Sequence, residues 1–272
     1  MSSRLALPRV TLACVDTRTP ALALAAIARC RAQIDFGDAV LFTDPALVRS
    51  PPAGLRIVPT TVDSVPAYSH FMLRGLLPHV HGSHVLVMQW DGYVLDAAQW
   101  DPRFLDHDYI GAPLRGEPPA RAVGNGGFSL RSRRLLQALQ DPALAERHPE
   151  DLCICHDHRA RLEREHGIRF AAQDVASRFS YERVPPSGPT FGFHGLFNMH
   201  QVLSASELLA LVQTLPDRMA AGLDAHDLAR TLIARGQLDT AAVLVDKRKR
   251  LGMRDRRTLR LRASLAWARL YG

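Results

Sequence analysis

The sequence predicts an α/β protein: a mixed, mainly parallel sheet flanked by helices, with a helical tail at the C-terminus. Three observations carry this. Short continuous apolar runs rich in β-formers alternate with helical stretches over the first ninety residues. Gly, Pro and aromatic residues then crowd the middle of the chain. From Ser204 onward the pattern is helical to the end.

Each element follows in order. Residues 9–16 (RVTLACVD) read as a buried strand. Thr19-Pro20 opens a helix over Ala21 to Ala32, with Thr as cap and Pro in the first turn. Residues 38–43 (DAVLFT) and 55–58 (LRIV) are strands stopped by Asp44-Pro45 and Pro59. His70 to Leu77 reads as helical, and 84–89 (HVLVMQ) is the strongest buried strand. YIGAPL and VGNGGFSL look like strand ends and loops. Helices are expected over Ser132 to Gln140 and Asp151 to His166, then a short strand at IRFA. Amphipathic helices follow at about 204–215, 223–235, 238–250 and 255–270. The organisation expected is one domain over 1–200 and a basic helical tail over 204–272.

Composition bounds the class. Apolar residues at 47% and charged residues at 22% are ordinary for a globular chain, which argues against disorder. No apolar run reaches membrane-helix length, and the N-terminus lacks a signal-peptide core. A cytoplasmic location is therefore expected, with Cys14, Cys30, Cys153 and Cys155 as reduced thiols. The formal charge is +7, but the stretch from Asp246 holds ten Lys/Arg against two acids. That stretch thus carries +8 and the rest of the chain −1. The main body has no basic excess, so nucleic-acid binding is not expected of it.

Four constellations could carry chemistry. Asp91, in Gln89-Trp90-Asp91-Gly92, follows the strongest strand, where α/β sheets bind ligands. It reads either as a divalent-metal ligand or as a turn aspartate. Asn125, Gly126 and Gly127, leading to Ser129, let backbone approach a ligand or simply make a glycine turn. Glu150 and Asp151 open a helix, as capping acids or as a general base. His194, in FGFHG, is a metal ligand or a structural histidine. Cys153–His158 has no second Cys/His pair at zinc-site spacing. His79, His81 and His84 read as a turn cluster, and Asp106-His107-Asp108 as structural.

Taken in this order, QWDG, YIGAP, GNGGFSLRS, PED and FGFHG are similar to the DUF5672 family of bacterial glycosyltransferase-like proteins, within the GT-A superfamily. The resemblance covers about residues 10–198. It implies an inverting nucleotide-sugar glycosyltransferase assisted by a divalent metal, Mn or Mg. Asp91 would stand in the metal motif, with Gln89 where a first acid would be, and His194 would complete the metal site. Asp151, with Glu150, would be the base. Asn125, Gly126, Gly127 and Ser129 would line the donor sugar and acceptor. Asp16 and Thr17, at the first strand's end, would face the nucleotide, and Arg74 would reach a phosphate. The partners implied are a nucleotide-sugar donor and an unidentified acceptor.

Two other functions fit the same residues. One is a non-catalytic nucleotide-sugar or glycan-binding module. The other is a metal-dependent hydrolase built on the His/Cys clusters. The tail loosely resembles tetratricopeptide-like helix pairs. Its basic face is either a solvated surface or a contact for an anionic membrane or acidic partner.

Overall fold

Apolar strands need cover on both faces, and the chain supplies it by alternating strand with helix. The computed structural model describes residues 4–271. In chain order the first elements are β1 (Leu5–Val15), α1 (Pro20–Gln33), β2 (Ile34–Thr43), β3 (Arg56–Pro59), α2 (Val65–His70) and β4 (His84–Met88). They are followed by β5 (Tyr109–Gly111), β6 (Phe128–Ser132), α3 (Arg133–Ala138), α4 (Glu150–Leu152), α5 (Arg159–His166), α6 (Gln173–Phe179), β7 (Ser180–Tyr181) and β8 (Gly192–Phe193). The chain divides into two units, Met1–His194 and Gly195–Gly272.

In the first unit a six-stranded sheet has the order β3-β2-β1-β4-β6-β5. β3, β2, β1 and β4 run parallel, and β6 is antiparallel to both β4 and β5. Every residue of β4 and β6 is buried. The two pair from His84 opposite Ser132 to Met88 opposite Phe128. The segment entering β6 therefore lies beside the exit of β4, where parallel strands offer their carboxyl ends. This antiparallel return positions the site.

Four details differ from the sequence expectations. β1 begins at Leu5, not 9, because pairing with β2 continues past Pro8 through a register shift between Leu7 and Thr11; Pro removes a ladder donor, which hides the extension. Thr19 makes no side-chain cap bond; Asp16 Oδ1 accepts from the Thr19 backbone N–H at 2.6 Å instead. The helix expected from His70 starts at Val65, capped by Ser64, and widens into a π turn over Phe71–Gly75. The IRFA strand reduces to one bridge, Phe170 to Tyr109.

Phe104, Phe128, Phe179 and Phe191 form a buried aromatic cluster between β6, α6 and the approach to β8, with ring centroids 5.3–6.4 Å apart. It sets the path of the chain toward His194.

The second unit contains α7 (Met199–Val202), α8 (Ala205–Thr214), α9 (Leu223–Ala234), α10 (Leu238–Arg250) and α11 (Arg256–Tyr271). Ser204 and Glu207 form a capping box on α8. Gly236 and Gly252, with φ of 71°, make the left-handed turns after α9 and α10. Leu208, Leu228, Leu232, Leu244 and Leu261 are the core. The basic run is not uniformly a surface. Lys247 donates to the carbonyls of Gln213 and Leu215. Arg248, also buried, donates to the Ala220 carbonyl (2.6 Å) and Thr258 Oγ1 (2.9 Å). Among the described residues no helix is long and apolar enough to cross a membrane.

Arg248→Ala would strand those buried acceptors, and each costs about 1–3 kcal/mol. Arg254→Ala, at an exposed position, is expected to stay within about 0.5 kcal/mol. Urea unfolding of the two variants checks the contrast.

Candidate active site

The strand β4 ends at Met88 and delivers Gln89, Trp90 and Asp91 to the carboxyl edge of the sheet. Asp91 is buried, and its Oδ1 lies 3.6 Å from His194 Nε2. His194 arrives from β8, whose Gly192 bridges to Val94. The loop is held tightly, because a Cβ at Gly92 would meet the Phe193 carbonyl at 2.9 Å and His194 Cδ2 at 3.0 Å.

Gln89 uses both ends of its amide. Nε2 donates to the Tyr68 hydroxyl at 3.1 Å, and Oε1 lies 3.2 Å from His194 Nε2. On the other ring edge, His194 Nδ1 lies 3.7 Å from Glu182 Oε1 and 3.3 Å from the Asn125 side-chain amide. Burial alone pulls the imidazole pKa down. Asp91, and after it Glu182, outweigh burial and lift it to about 10. With no cation bound this favours the imidazolium, and a cation at Nε2 would take the place of that proton.

Asp151 comes from the opposite direction, on the single turn α4. Its Oδ2 accepts from the Gly126 N–H at 3.0 Å and its Oδ1 from the Leu152 N–H at 2.8 Å. Burial first, then the neighbouring Glu150, raises its pKa above the ordinary carboxylate range. Glu150 has a different task. It is buried and pairs at 3.1 Å with Arg131, whose side chain is fully buried. Arg131 also donates to Ser129 Oγ at 3.0 Å, and its guanidinium lies 5.5 Å from the Tyr109 ring centre.

Gly126 and Gly127 join these two clusters. A Cβ at Gly126 would lie 2.7 Å from Glu150 Oε1 and 3.0 Å from Asp151 Cβ. A Cβ at Gly127 would lie 2.1 Å from His194 Nε2. Asp151 and His194 therefore press on adjacent residues of one segment.

The residues singled out from sequence fall into three groups. Asp91, Asn125, Gly126, Gly127, Asp151 and His194 come together. Glu150 and Ser129 sit beneath them; Ser129 Oγ donates to the Gly126 carbonyl at 3.1 Å. Asp16 and Thr17 stand on the same sheet edge, since Cys14 pairs with Met88. Asp16 there ties the β1–α1 turn, and Thr17 Oγ1 donates to the Val62 carbonyl at 2.6 Å. Arg74 does not join the group: its guanidinium donates to Glu146 and to the carbonyls of Leu139, Asp141 and Leu144. Sequence reasoning missed Glu182, Arg131 and Tyr68. Nothing in SYERV distinguishes Glu182 from a surface acid, whereas Arg131, inside an apolar strand, is a cation that needs a buried partner.

The decoys resolve locally. Asp108 accepts from Ser132 Oγ, Arg134 and the Arg169 N–H. His156 and His158 lie within hydrogen-bond reach of the carbonyls of Arg121 and Ala145.

Asp91 Oδ1, His194 Nε2 and Gln89 Oε1 suit a hard or borderline divalent cation whose other ligands are phosphate and water. Glu182 at Nδ1 holds the ring as outer carboxylates commonly do for metal-bound histidine. Among the described residues no group of three or more His, Cys, Asp or Glu side chains could hold a metal ion.

A doubly wound sheet with an antiparallel return and a carboxylate–imidazole cluster at its carboxyl edge defines a mixed α/β domain. The chain belongs to the DUF5672 family, described as a protein of unknown function, whose model matches residues 55–194. No curated protein matches it. Among solved structures it is similar to the mannosyltransferase PcManGT from Pyrobaculum calidifontis in complex with GDP-Man and Mn2+, at 15% identity and a TM-score of 0.40, covering 97% of this chain and 82% of that one. It is also similar to S. aureus TarS 1-349, at 12% identity and a TM-score of 0.41, covering 91% and 93%.

Two expectations follow. An imidazolium whose folded-state pKa exceeds the unfolded value adds stability that is full below about pH 6.5. That share is lost as the pH rises toward about 10. The stability margin of the native protein over His194→Gln should therefore shrink between those limits, as read by urea unfolding across pH in metal-free buffer. Arg131→Met should destabilise by about 3–5 kcal/mol, because Glu150 would keep a buried charge without its partner. The Arg131→Met/Glu150→Gln double variant should recover much of that loss.

Proposed function

We propose that this protein is a nucleotide-sugar-dependent glycosyltransferase of the inverting type. The observation that carries the reading is the meeting of Asp91–His194 and Asp151 across Gly126 and Gly127. On this reading an edge that would hold a metal and the Asp151 carboxylate flank one stretch of backbone that has no side chains of its own.

Asp91 and His194, with Gln89 Oε1, would hold Mn or Mg. When bound, that cation would offset the charge that grows on a diphosphate leaving group. The chain's own residues do the rest. Glu182 and Asn125 fix the imidazole, and the sheet edge at Asp16 and Thr17 faces the nucleotide. The absence of side chains at Gly126 and Gly127 lets His194 and Asp151 close on one segment of backbone. Asp151 takes the proton of the acceptor hydroxyl as that oxygen bonds to the anomeric carbon and the bond to the diphosphate breaks. Attack from the face opposite the leaving group inverts the configuration. The raised pKa of Asp151 suits a base, since a more basic carboxylate accepts a proton more readily. Glu150 stays with Arg131 and supports the turn without handling the proton.

The alternative is a binding module on the same fold. It is favoured by Gln89, an amide where a second carboxylate would strengthen metal binding.

Asp151→Asn should lower sugar transfer by about 10²–10⁴-fold while donor-induced thermal stabilisation persists. Transfer at a near-native rate in that variant would remove Asp151 from its role. Thermal shift against a panel of nucleoside diphosphates, with and without manganese, identifies the donor. A donor that binds but is neither transferred nor hydrolysed would favour the binding module.

A further inference from the structure

The last helix carries two apolar faces. α11 buries Thr258, Leu261 and Leu265 against its own unit. At about 100° per residue, the opposite side presents Leu259, Ala263, Trp267 and Leu270, with Tyr271 at its margin. Leu259 is 49% exposed, Trp267 65%, Leu270 74% and Tyr271 73%. Helices of globular proteins ordinarily oppose one apolar stripe to a polar face, so the second stripe needs a reason.

Three further features narrow the choice. The helix contains five arginines and no acid, and Arg256, Arg257, Arg260, Arg262 and Arg269 are all exposed. Arg256 and Arg260 lie in the N-terminal half of the stripe, Arg257 and Arg262 lie on either side of it, and Arg269 lies toward the buried face. The aromatic rings of Trp267 and Tyr271 are neighbours, with centroids 5.6 Å apart. A groove of about 750 Å³ opens beside them, with Ile233, Leu238, Ala263 and Trp267 among its lining.

The geometry points to a peripheral docking surface for an anionic lipid bilayer. Trp and Tyr favour the boundary between acyl chains and headgroups, where apolar body and polar tip are both accommodated. Arginines flanking such residues meet lipid phosphates, each adding electrostatic attraction near a negative surface. The groove offers room for an acyl chain or headgroup beside the inserted indole. A second copy of the same face is disfavoured, because it would bury Arg256 and Arg260 of both copies within it. This assignment is independent of the sugar-transfer reading, since every residue in it lies on the helical unit.

The test uses the full chain with two kinds of vesicle, phosphatidylcholine alone and phosphatidylcholine with phosphatidylglycerol. Co-sedimentation is expected only with the anionic vesicles and should fall at high salt. The triple variant Trp267→Ala/Leu270→Ala/Tyr271→Ala, and separately Arg256→Gln/Arg260→Gln/Arg262→Gln, should each bind at least about tenfold more weakly. These side chains are exposed, so unfolding midpoints should not move, and that control separates lost docking from lost folding. Lipids brominated on the acyl chains should quench the native protein's tryptophan fluorescence, and Trp267→Phe should bind yet lose the quenching. Equal binding to both vesicle types, or native binding by the triple variant, would overturn the assignment. So would concentration-dependent self-association abolished by Trp267→Ala without vesicle binding, which would make the face a contact between copies.

Discussion

The site rests on two missing side chains. Gly126 and Gly127 enter β6 just where β4 ends, and their bare Cα positions let two different elements close on one strand edge. At Gly127 the imidazole of His194 occupies the volume a methyl group would need. At Gly126 the Glu150 carboxyl, the Arg131 guanidinium and the Asp151 Cβ do the same. Tight interiors tolerate little added volume, so any side chain at either position would separate the groups that the fold otherwise brings together. The antiparallel course of β6 is part of the same constraint. A parallel strand here would place its opening residues at the far edge, away from Asp91.

Around that edge the chain buries charge in two pairs with different consequences. Arg131 and Glu150 compensate each other inside the protein, and Arg131 is tied further to Ser129, the Gly126 carbonyl and the Tyr109 ring. Such a pair adds little net stability over an apolar filling, but losing one member is costly. Its visible role is positional: it fixes the turn from which Asp151 projects. The second set places the His194 ring with Asp91 on one edge and Glu182 on the other. A divalent cation beside Asp91 would add positive charge to the same cluster.

How much of this could be read from sequence depended on whether the cause was local. Continuous apolar runs announced β4 and the second half of β2, where burial on both faces leaves no alternation, whereas β3 is only half-buried. Asp91 and Asp151 were legible because a carboxylate after a strong strand, or at a helix start, is a local pattern. Glu182 was not, since its partner stands twelve positions on and the intervening loop carries no period. The widened turns at Phe71–Gly75 and Cys153–Asp157 were also hidden: they shift helix phase without changing composition. In the tail, Lys247 and Arg248 counted as surface charge because only the neighbouring carbonyls, supplied by residues some thirty positions earlier, make their burial tolerable. The outer stripe of α11 was obscured for a further reason, because opposed apolar faces cancel in any measure of amphipathicity.

Gln89 ties these strands of argument together. A carboxylate at this position would sit beside the Tyr68 hydroxyl and the His194 ring, within a cluster that already holds Asp91 and Glu182. In a buried setting a third negative charge would raise the pKa of its neighbours and favour its own protonation. The amide avoids that repulsion while keeping both polar contacts, donating through Nε2 and offering Oε1 to the imidazole side. The cost falls on metal affinity, because a carbonyl oxygen attracts a divalent cation less than a carboxylate does. A cation held by Asp91, His194 and a neutral carbonyl therefore depends on phosphate oxygens from its ligand to complete its shell. Metal and diphosphate would bind here as one unit, each weak without the other.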